Sequence, residues 1–363
     1  LVTGPAFGPE GSLLDVAAEQ GRGGEGVTTQ IIPTLRRAIH PLRDWQALRS
    51  IKRALRDFQP DVVHTHSAKA GILGRLAASQ LKIPAIVHTV HGAPFHPYQS
   101  AFSRTLFRAC EKHAARRCHK LVSVADAMTE LLVDAGVASR EKFMTIYSGM
   151  EVEPFLHART SREETRRELD YDDDHMVVIK VARLFHLKGH EFLLQAAPRI
   201  VEQQPNVRFL LVGDGILHDK LQQQIAIAGL DEYFQFTGLV PPGRIPALLG
   251  AADIACHLSL REGLARVLPQ ALIAGIPVIS YDIDGAREVV TTGQTGYLLA
   301  PRSIDPLIDA VVELAGDEQL RNRLAEQGRG VCADRFRWQT MVHQLRDLYG
   351  QLLAANPSHD EAK

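Results

Sequence analysis

Long apolar runs are missing from this 363-residue chain: nothing in it comes near the roughly 18 uninterrupted apolar residues of a membrane span. Cysteine is scarce. Cys110, Cys118, Cys256 and Cys332 are scattered without a CxxC pair, which excludes a disulfide framework or zinc ribbon and fits a reducing, cytoplasmic compartment. Aromatics make up 6% and do not interleave with basic residues, so nucleic acid is not an expected partner. No HExxH or Cys/His knuckle occurs. Net charge is −1, which argues against bulk attraction to a polyanion, but the charge is unevenly spread. Residues 1–150 carry 19 Lys and Arg against 12 Asp and Glu, and the remainder carries 22 against 30. Such a contrast suits one half facing something anionic, and equally suits solvated helix faces that happen to differ.

What is present is 45% hydrophobic residues, enough for sizeable cores, in a length that suits two domains. The recurring pattern is a short β-branched run, a small-residue turn and an amphipathic helix. "LVTG" leads to a helix in "SLLDVAAEQG", "DVVHTHS" to "AGILGRLAASQL", "PAIVHTVHG" to a helix near 98–119, and "KLVSVAD" to "AMTELLVDAG". Residues 151–175 are highly charged and read as a linker with a short helix. The pattern then restarts at "MVVIKVA" and runs through "VRFLLVG", "FQFTG", "DIACHLS" and "PVIS". Continuous apolar strands alternating with helices predict α/β domains with parallel sheets, one over 1–150 and one over 176–335, with a last helix near 338–354. In such sheets, ligands bind at the carboxyl ends of strands.

Three stretches at those ends carry chemistry. "VARLFHLKG" puts Arg183 and Lys188 in one loop, where a guanidinium fork and an ammonium suit a diphosphate; two solvated cations fit the spacing as well. In "LVGDGIL", Gly213 and Gly215 let a ligand approach the backbone, although a bare GxG is a weak dinucleotide signal. In "REGLARVLPQALIAGIPVIS", Glu262 and Gly263 end a loop, and Pro269 is tolerated in the first helical turn. The N–H groups near Leu264, Ala265 and Val267 then point at an anion, with the Glu262 carboxylate placed to accept from hydroxyls beside it. A pyrophosphate on the amides and sugar hydroxyls on the acid together describe a nucleotide-sugar.

"VARLFHLKG", "LVGDG", "FTGLV" and "EGLARVLPQALIAGIPVI", in this order and spacing, resemble the C-terminal half of glycosyltransferase family 4, retaining enzymes of GT-B fold. "PDVVHTHSAKAGILGRLAA" and "IVHTVHGAPFH" resemble its bacterial polysaccharide-biosynthesis branch. The resemblance covers nearly the whole chain. It implies two Rossmann-like doubly wound domains facing a cleft, the first for a glycan or lipid-linked acceptor and the second for the nucleotide-sugar donor. It implies that Arg183 and Lys188 neutralise the donor diphosphate, that Glu262 binds hydroxyls of the donor sugar, and that Gln270 faces the ribose. It further implies that the backbone near Val240 meets the base, that His91 contacts the donor sugar, and that the final helix packs back onto the first domain. No metal or other cofactor is implied, because cations and amides already face the leaving phosphate. A GT-B nucleotide-sugar epimerase and a non-catalytic nucleotide-sugar-binding protein remain the alternatives.

Two features depart from the family pattern. Its usual Glu-x7-Glu has Gln270 in the second position, so the ribose clamp is expected to be weaker or altered. The family's first strand and glycine-rich loop are missing ahead of "LVTG", so an N-terminal truncation is expected that leaves "LVTG" and "DVVHTHS" without their shared neighbour. His64, His66, His88, His91 and His96 all fall near strand ends; a hydrogen-bonding role is expected for His91 and packing for most of the others. Arg104, Arg108, Lys112 and Arg116 recur every four residues on one helix, a solvated face or one for anionic lipid at the inner membrane surface.

Overall fold

The computed structural model describes residues 1–6, 14 and 27–356. The helix expected in "SLLDVAAEQG" lies outside the described residues, Leu14 apart. Among the described residues no helix is long and apolar enough to cross a membrane.

The chain divides into two compact units. One comprises Leu1–Val124, Met128–Ile146 and Gln344–Lys363; the other comprises Ala125–Ala127 and Tyr147–His343. In the first, strands β1 (Val2–Thr3) and β2 (Gln30–Ile31) form a parallel pair, and β3 (Val62–His66), β4 (Ala85–Val90), β5 (Lys120–Ser123) and β6 (Phe143–Thr145) form a separate parallel sheet in that order. "LVTG" and "DVVHTHS" thus belong to different sheets. Helices α1 (Pro41–Phe58), α2 (Ala68–Gln80), α3 (Ala101–Ala115) and α4 (Asp126–Asp134) follow the strands in the expected rhythm. Every residue of β4 is buried, the polar His88 and Thr89 included, as in a strand covered on both faces.

The second unit holds a six-stranded parallel sheet, β7 (Met176–Val181), β8 (Val207–Val212), β9 (Phe234–Gly238), β10 (Ile254–His257), β11 (Val278–Tyr281) and β12 (Gly296–Leu299). Their spatial order is β12-β11-β10-β7-β8-β9, a doubly wound sheet whose direction of winding reverses between β7 and β10. The intervening elements are helices α5 (Glu153–Leu156), α6 (Arg162–Glu168), α7 (His190–Gln203), α8 (His218–Ile227), α9 (Ile245–Ala251), α10 (Val267–Ile273), α11 (Asp305–Gly316), α12 (Glu318–Cys332) and α13 (Trp338–Ala355). The last of these begins in the second unit and ends in the first.

Residues 151–175 are not a linker. They form α5 and α6 and pack into the second unit, where Arg162 and Arg166 both reach the buried carboxylate of Asp253 at the start of β10, at 2.6 and 3.4 Å. Asp253 Oδ2 also accepts the Val177 N–H at 2.9 Å, so one acid ties α6 to β7. The charge that made this segment read as solvated is therefore partly internal pairing. Two apolar layers sandwich the sheet, one under α10 and the other under α7 and α11.

Candidate functional site

The strand order reverses between β7 and β10, and doubly wound sheets bind ligands beyond the carboxyl ends of the strands at such a reversal. The loops leaving them supply the two groups singled out by sequence. Lys188, from the loop after β7, places its ammonium on the Glu262 carboxylate from the loop after β10. Both side chains are about three-quarters buried, at 22% and 23% exposure, so the pair is half sheltered from solvent screening.

Backbone geometry holds the two loops together. The Leu260 N–H donates to the Leu187 carbonyl at 2.8 Å. Leu187 and Gly189 both adopt left-handed conformations, with φ of 65° and 70°. A Cβ on residue 189 would run into the carbonyl oxygen of Leu258, so glycine is required where the loop turns into α7. The Glu262 N–H donates to Asp284 Oδ2 at 2.6 Å, and the Gly285 N–H to the Gly263 carbonyl at 3.0 Å, pinning the acid-bearing loop to the turn after β11. Burial raises the Asp284 carboxyl, and the N–H of Glu262 opposes that shift.

Other expected residues fall around the same edge. Arg183 lies exposed at the start of the β7 loop, its guanidinium carbon 5.1 Å from the Phe185 ring centre. The glycine loop after β8 zips onto the β7 loop: the Leu184 N–H donates to the Asp214 carbonyl and the Leu217 N–H to the Leu184 carbonyl, both at 3.0 Å. Gly213, at φ 132°, is needed because a Cβ there would strike the Ala182 carbonyl; Gly215 donates to the Asp214 side chain at 2.7 Å. Val240, Leu264 and Val267 pack against one apolar cluster, which also includes the buried Ala265. Helix α10 starts only at Val267 and is a short seven-residue helix. Among the described residues, none of the backbone N–H groups of 264–267 has an acceptor. Gln270 is half-buried on that helix. His91 belongs to the first unit, at the end of β4.

Sequence reasoning missed a set of buried polar side chains around this edge. Lys180 in β7 is fully buried, and its ammonium has no partner among the described residues; burial pushes it down to about 8. His190 Nε2 donates to the Arg183 carbonyl at 3.0 Å, and the ring is held at about 3, first by burial and then by Lys180. His257, at the end of β10, lies 3.8 Å from Glu262 Oε1 and is kept well below the usual imidazole value, chiefly by burial. Cys256 is pushed up to about 12 by burial. The one available signal was a lysine interrupting the apolar run "MVVIKV". Potential metal ligands converge, among the described residues, only at Asp172, Asp174 and His175 on a surface turn, away from the histidines weighed above.

The chain matches two family models, "Glycosyl transferase 4-like domain" over residues 5–149 and "Glycosyl transferases group 1" over residues 161–331. It is 29% identical over 328 residues to the Escherichia coli UDP-Gal:alpha-D-GlcNAc-diphosphoundecaprenol alpha-1,3-galactosyltransferase, covering 90% of this chain and 84% of that protein. It is 25% identical to the Alpha-D-kanosaminyltransferase of Streptomyces kanamyceticus, covering 84% and 81%. Among solved structures, Anabaena HepE in complex with UDP and glucose superposes with a TM-score of 0.79 at 20% identity, covering 96% of this chain and 98% of that one. A likeness at that identity shows the shared fold, GT-B.

Proposed function

The chain belongs to the glycosyltransferases of GT-B fold, pairing a 4-like domain with a group 1 domain, and from this premise we propose that it transfers a hexosyl group from a nucleoside-diphosphate sugar to an acceptor hydroxyl with retention of anomeric configuration. The observation that carries the reading is the Lys188–Glu262 pair at the switch between β7 and β10. An ammonium and a carboxylate that neutralise each other without ligand are the two groups a sugar diphosphate separates. Its phosphate takes the ammonium, and its sugar hydroxyls take the acid.

In this account the diphosphate lies against Lys188, Arg183 and the unpartnered N–H groups of 264–267, which stabilise charge as it develops on the leaving oxygen. Glu262 grips the sugar, Gln270 faces the ribose, and the backbone at Val240 borders the base. The acceptor oxygen bonds to the anomeric carbon on the face from which the diphosphate departs. The bond from that carbon to the phosphate oxygen breaks, and the hydroxyl proton passes to the departing phosphate. No nucleophilic side chain is required, and positive charge comes from the protein without a metal.

The acceptor we propose is a surface glycan or a lipid-linked sugar. The outward face of α3 supports that choice. Arg104, Arg108 and Lys112 are exposed along that helix and Arg116 at its C-terminal end, a basic stripe that suits anionic headgroups at the cytoplasmic membrane face. A thermal-shift screen of nucleotide-sugars tests the donor reading. One or more should raise the melting temperature, since a ligand that binds only the folded state stabilises it, and each stabilising donor should support transfer. A screen in which nucleotide-sugars leave the melting temperature unchanged contradicts the reading.

A further inference from the structure

Three imidazoles stack at the carboxyl ends of β3 and β4 in the first unit. His64 lies on His66 with ring centres 4.5 Å apart and planes 25° from parallel, and His66 lies on His91 at 5.2 Å and 28°. His64 is fully used: Nδ1 meets the Tyr349 hydroxyl at 2.5 Å and Nε2 the Thr89 hydroxyl at 2.7 Å. It serves as a fixed plate for the other two. His66 Nδ1 meets His91 Nε2 at 3.0 Å, which leaves His66 Nε2 and His91 Nδ1 as the outer nitrogens of an exposed pair. The residue between β3 and α2, Ser67, holds a φ of 64°, a strained conformation for a non-glycine residue that recurs at functional sites. Ser67 and His91 line one small cavity together with Thr89, Gly92 and Glu111.

Burial lowers both His66 and His91 below the usual imidazole value, and His91 lowers His66 further, so both rings are neutral near pH 7. The titratable groups around them are His64, His88 and Tyr349, with Arg75 near His88; Glu111 is already paired with Arg75 at 2.9 Å. Two neutral imidazoles joined by one hydrogen bond share a single bridging proton, and that couples their outer nitrogens. If His66 donates, its Nε2 is a bare acceptor and His91 carries a proton on Nδ1. If His91 donates, the roles reverse. Either way the pair shows one donor and one acceptor.

We propose that His66 and His91 act as a single unit that binds adjacent hydroxyls of a sugar, donating to one and accepting from the other. A hydroxyl does both, so either tautomer fits. A phosphate offers only acceptors and an ammonium only donors, so the pair disfavours both. His66 is thereby a binding residue in its own right. That the hydroxyls belong to a sugar rests on the function proposed above, and they belong either to the transferred sugar or to the acceptor.

Long-range proton–nitrogen spectra of the histidine rings in the full chain test this, assigned with His66→Gln and His91→Gln, with methyl α-D-glucopyranoside, UDP-glucose and inorganic phosphate as probes. Both rings should be neutral at pH 7 with one bridging proton. A sugar probe should move the outer nitrogens of both rings together, phosphate should leave them still, and His66→Gln should abolish the response of His91. A response to the methyl glycoside identifies an acceptor site; a response to UDP-glucose alone identifies the transferred sugar. A charged ring at pH 7, a response to phosphate, independent movement of the two rings or silence toward both sugars overturns the proposal, and the wild-type titration decides even if a variant fails to fold. UDP-glucose bound in the second unit beside a silent pair overturns this proposal alone. A glycoside response in a protein that binds no nucleotide-sugar overturns the transferase reading alone.

Discussion

Replacing Glu262 with Gln should change the binding of a nucleoside diphosphate and of its sugar conjugate in opposite directions. Without ligand, Lys188 is held by Glu262, so a diphosphate competes with that carboxylate for the ammonium. A pair exposed by a quarter lies between surface and buried limits, and its net worth is about 1 kcal/mol, near the upper end measured for exposed pairs. Removing the carboxylate's charge while keeping its shape should therefore tighten UDP by roughly fivefold. The sugar conjugate gains the same release but loses a hydrogen bond to a charged acceptor, worth about 1.5–3 kcal/mol. Net weakening of UDP-glucose by roughly two- to thirtyfold follows. Titration calorimetry at low ionic strength reads both numbers on one protein preparation. Equal weakening of UDP and UDP-glucose, or no change in either, would refute the reasoning: in the first case Glu262 only shapes the loop, and in the second neither ligand touches the pair.

Arg183→Ala should lower kcat/KM for transfer by the equivalent of ~2–4 kcal/mol, as for loss of one electrostatic donor to a transition state, without shifting the melting temperature, since the side chain is exposed. Asp253→Ala should destabilise the fold by about 3–5 kcal/mol in denaturant titration, because it leaves Arg162 and the buried Arg166 without their shared acid. An effect below about 1 kcal/mol would mean that the charges of α6 are solvated after all. Lys180 should give a pH signature. Its ammonium is lowered from 10.5 to about 8 in the fold, so between those values the unfolded chain binds more protons and stability rises with pH; below about 8 the full penalty of the buried charge is present. Lys180→Met should raise the unfolding free energy at pH 7 and flatten the rise between pH 8 and 10.5, as followed by denaturant midpoints across pH.

The order of elements was legible because β-branched runs and amphipathic helices have different periods, and "MVVIKV", "VRFLLV" and "AIVHTV" all became buried parallel strands. Lys188 and Glu262 were legible for a related reason: loops at strand ends that carry a charge next to glycine stand out against apolar surroundings. Long-range pairing was not legible. Arg162 and Arg166 looked solvated because their partner, Asp253, lies 91 and 87 positions along the chain, at the start of another strand. The coupling of His66 to His91 depends on the register of β3 against β4, which sets His66 beside Thr89 and so within reach of the residue after the strand. Lys180 was visible only as an interruption in an apolar run, and its complete burial follows from neighbouring strands on both sides of β7.

The most direct measurement is a structure of the full chain bound to a nucleotide-sugar. In it the Lys188–Glu262 pair should be opened, with the ammonium on the diphosphate, the carboxylate on sugar hydroxyls and the N–H groups of 264–267 turned to phosphate oxygens. A nucleotide-sugar bound elsewhere, or bound here with Lys188 still on Glu262, contradicts this reading.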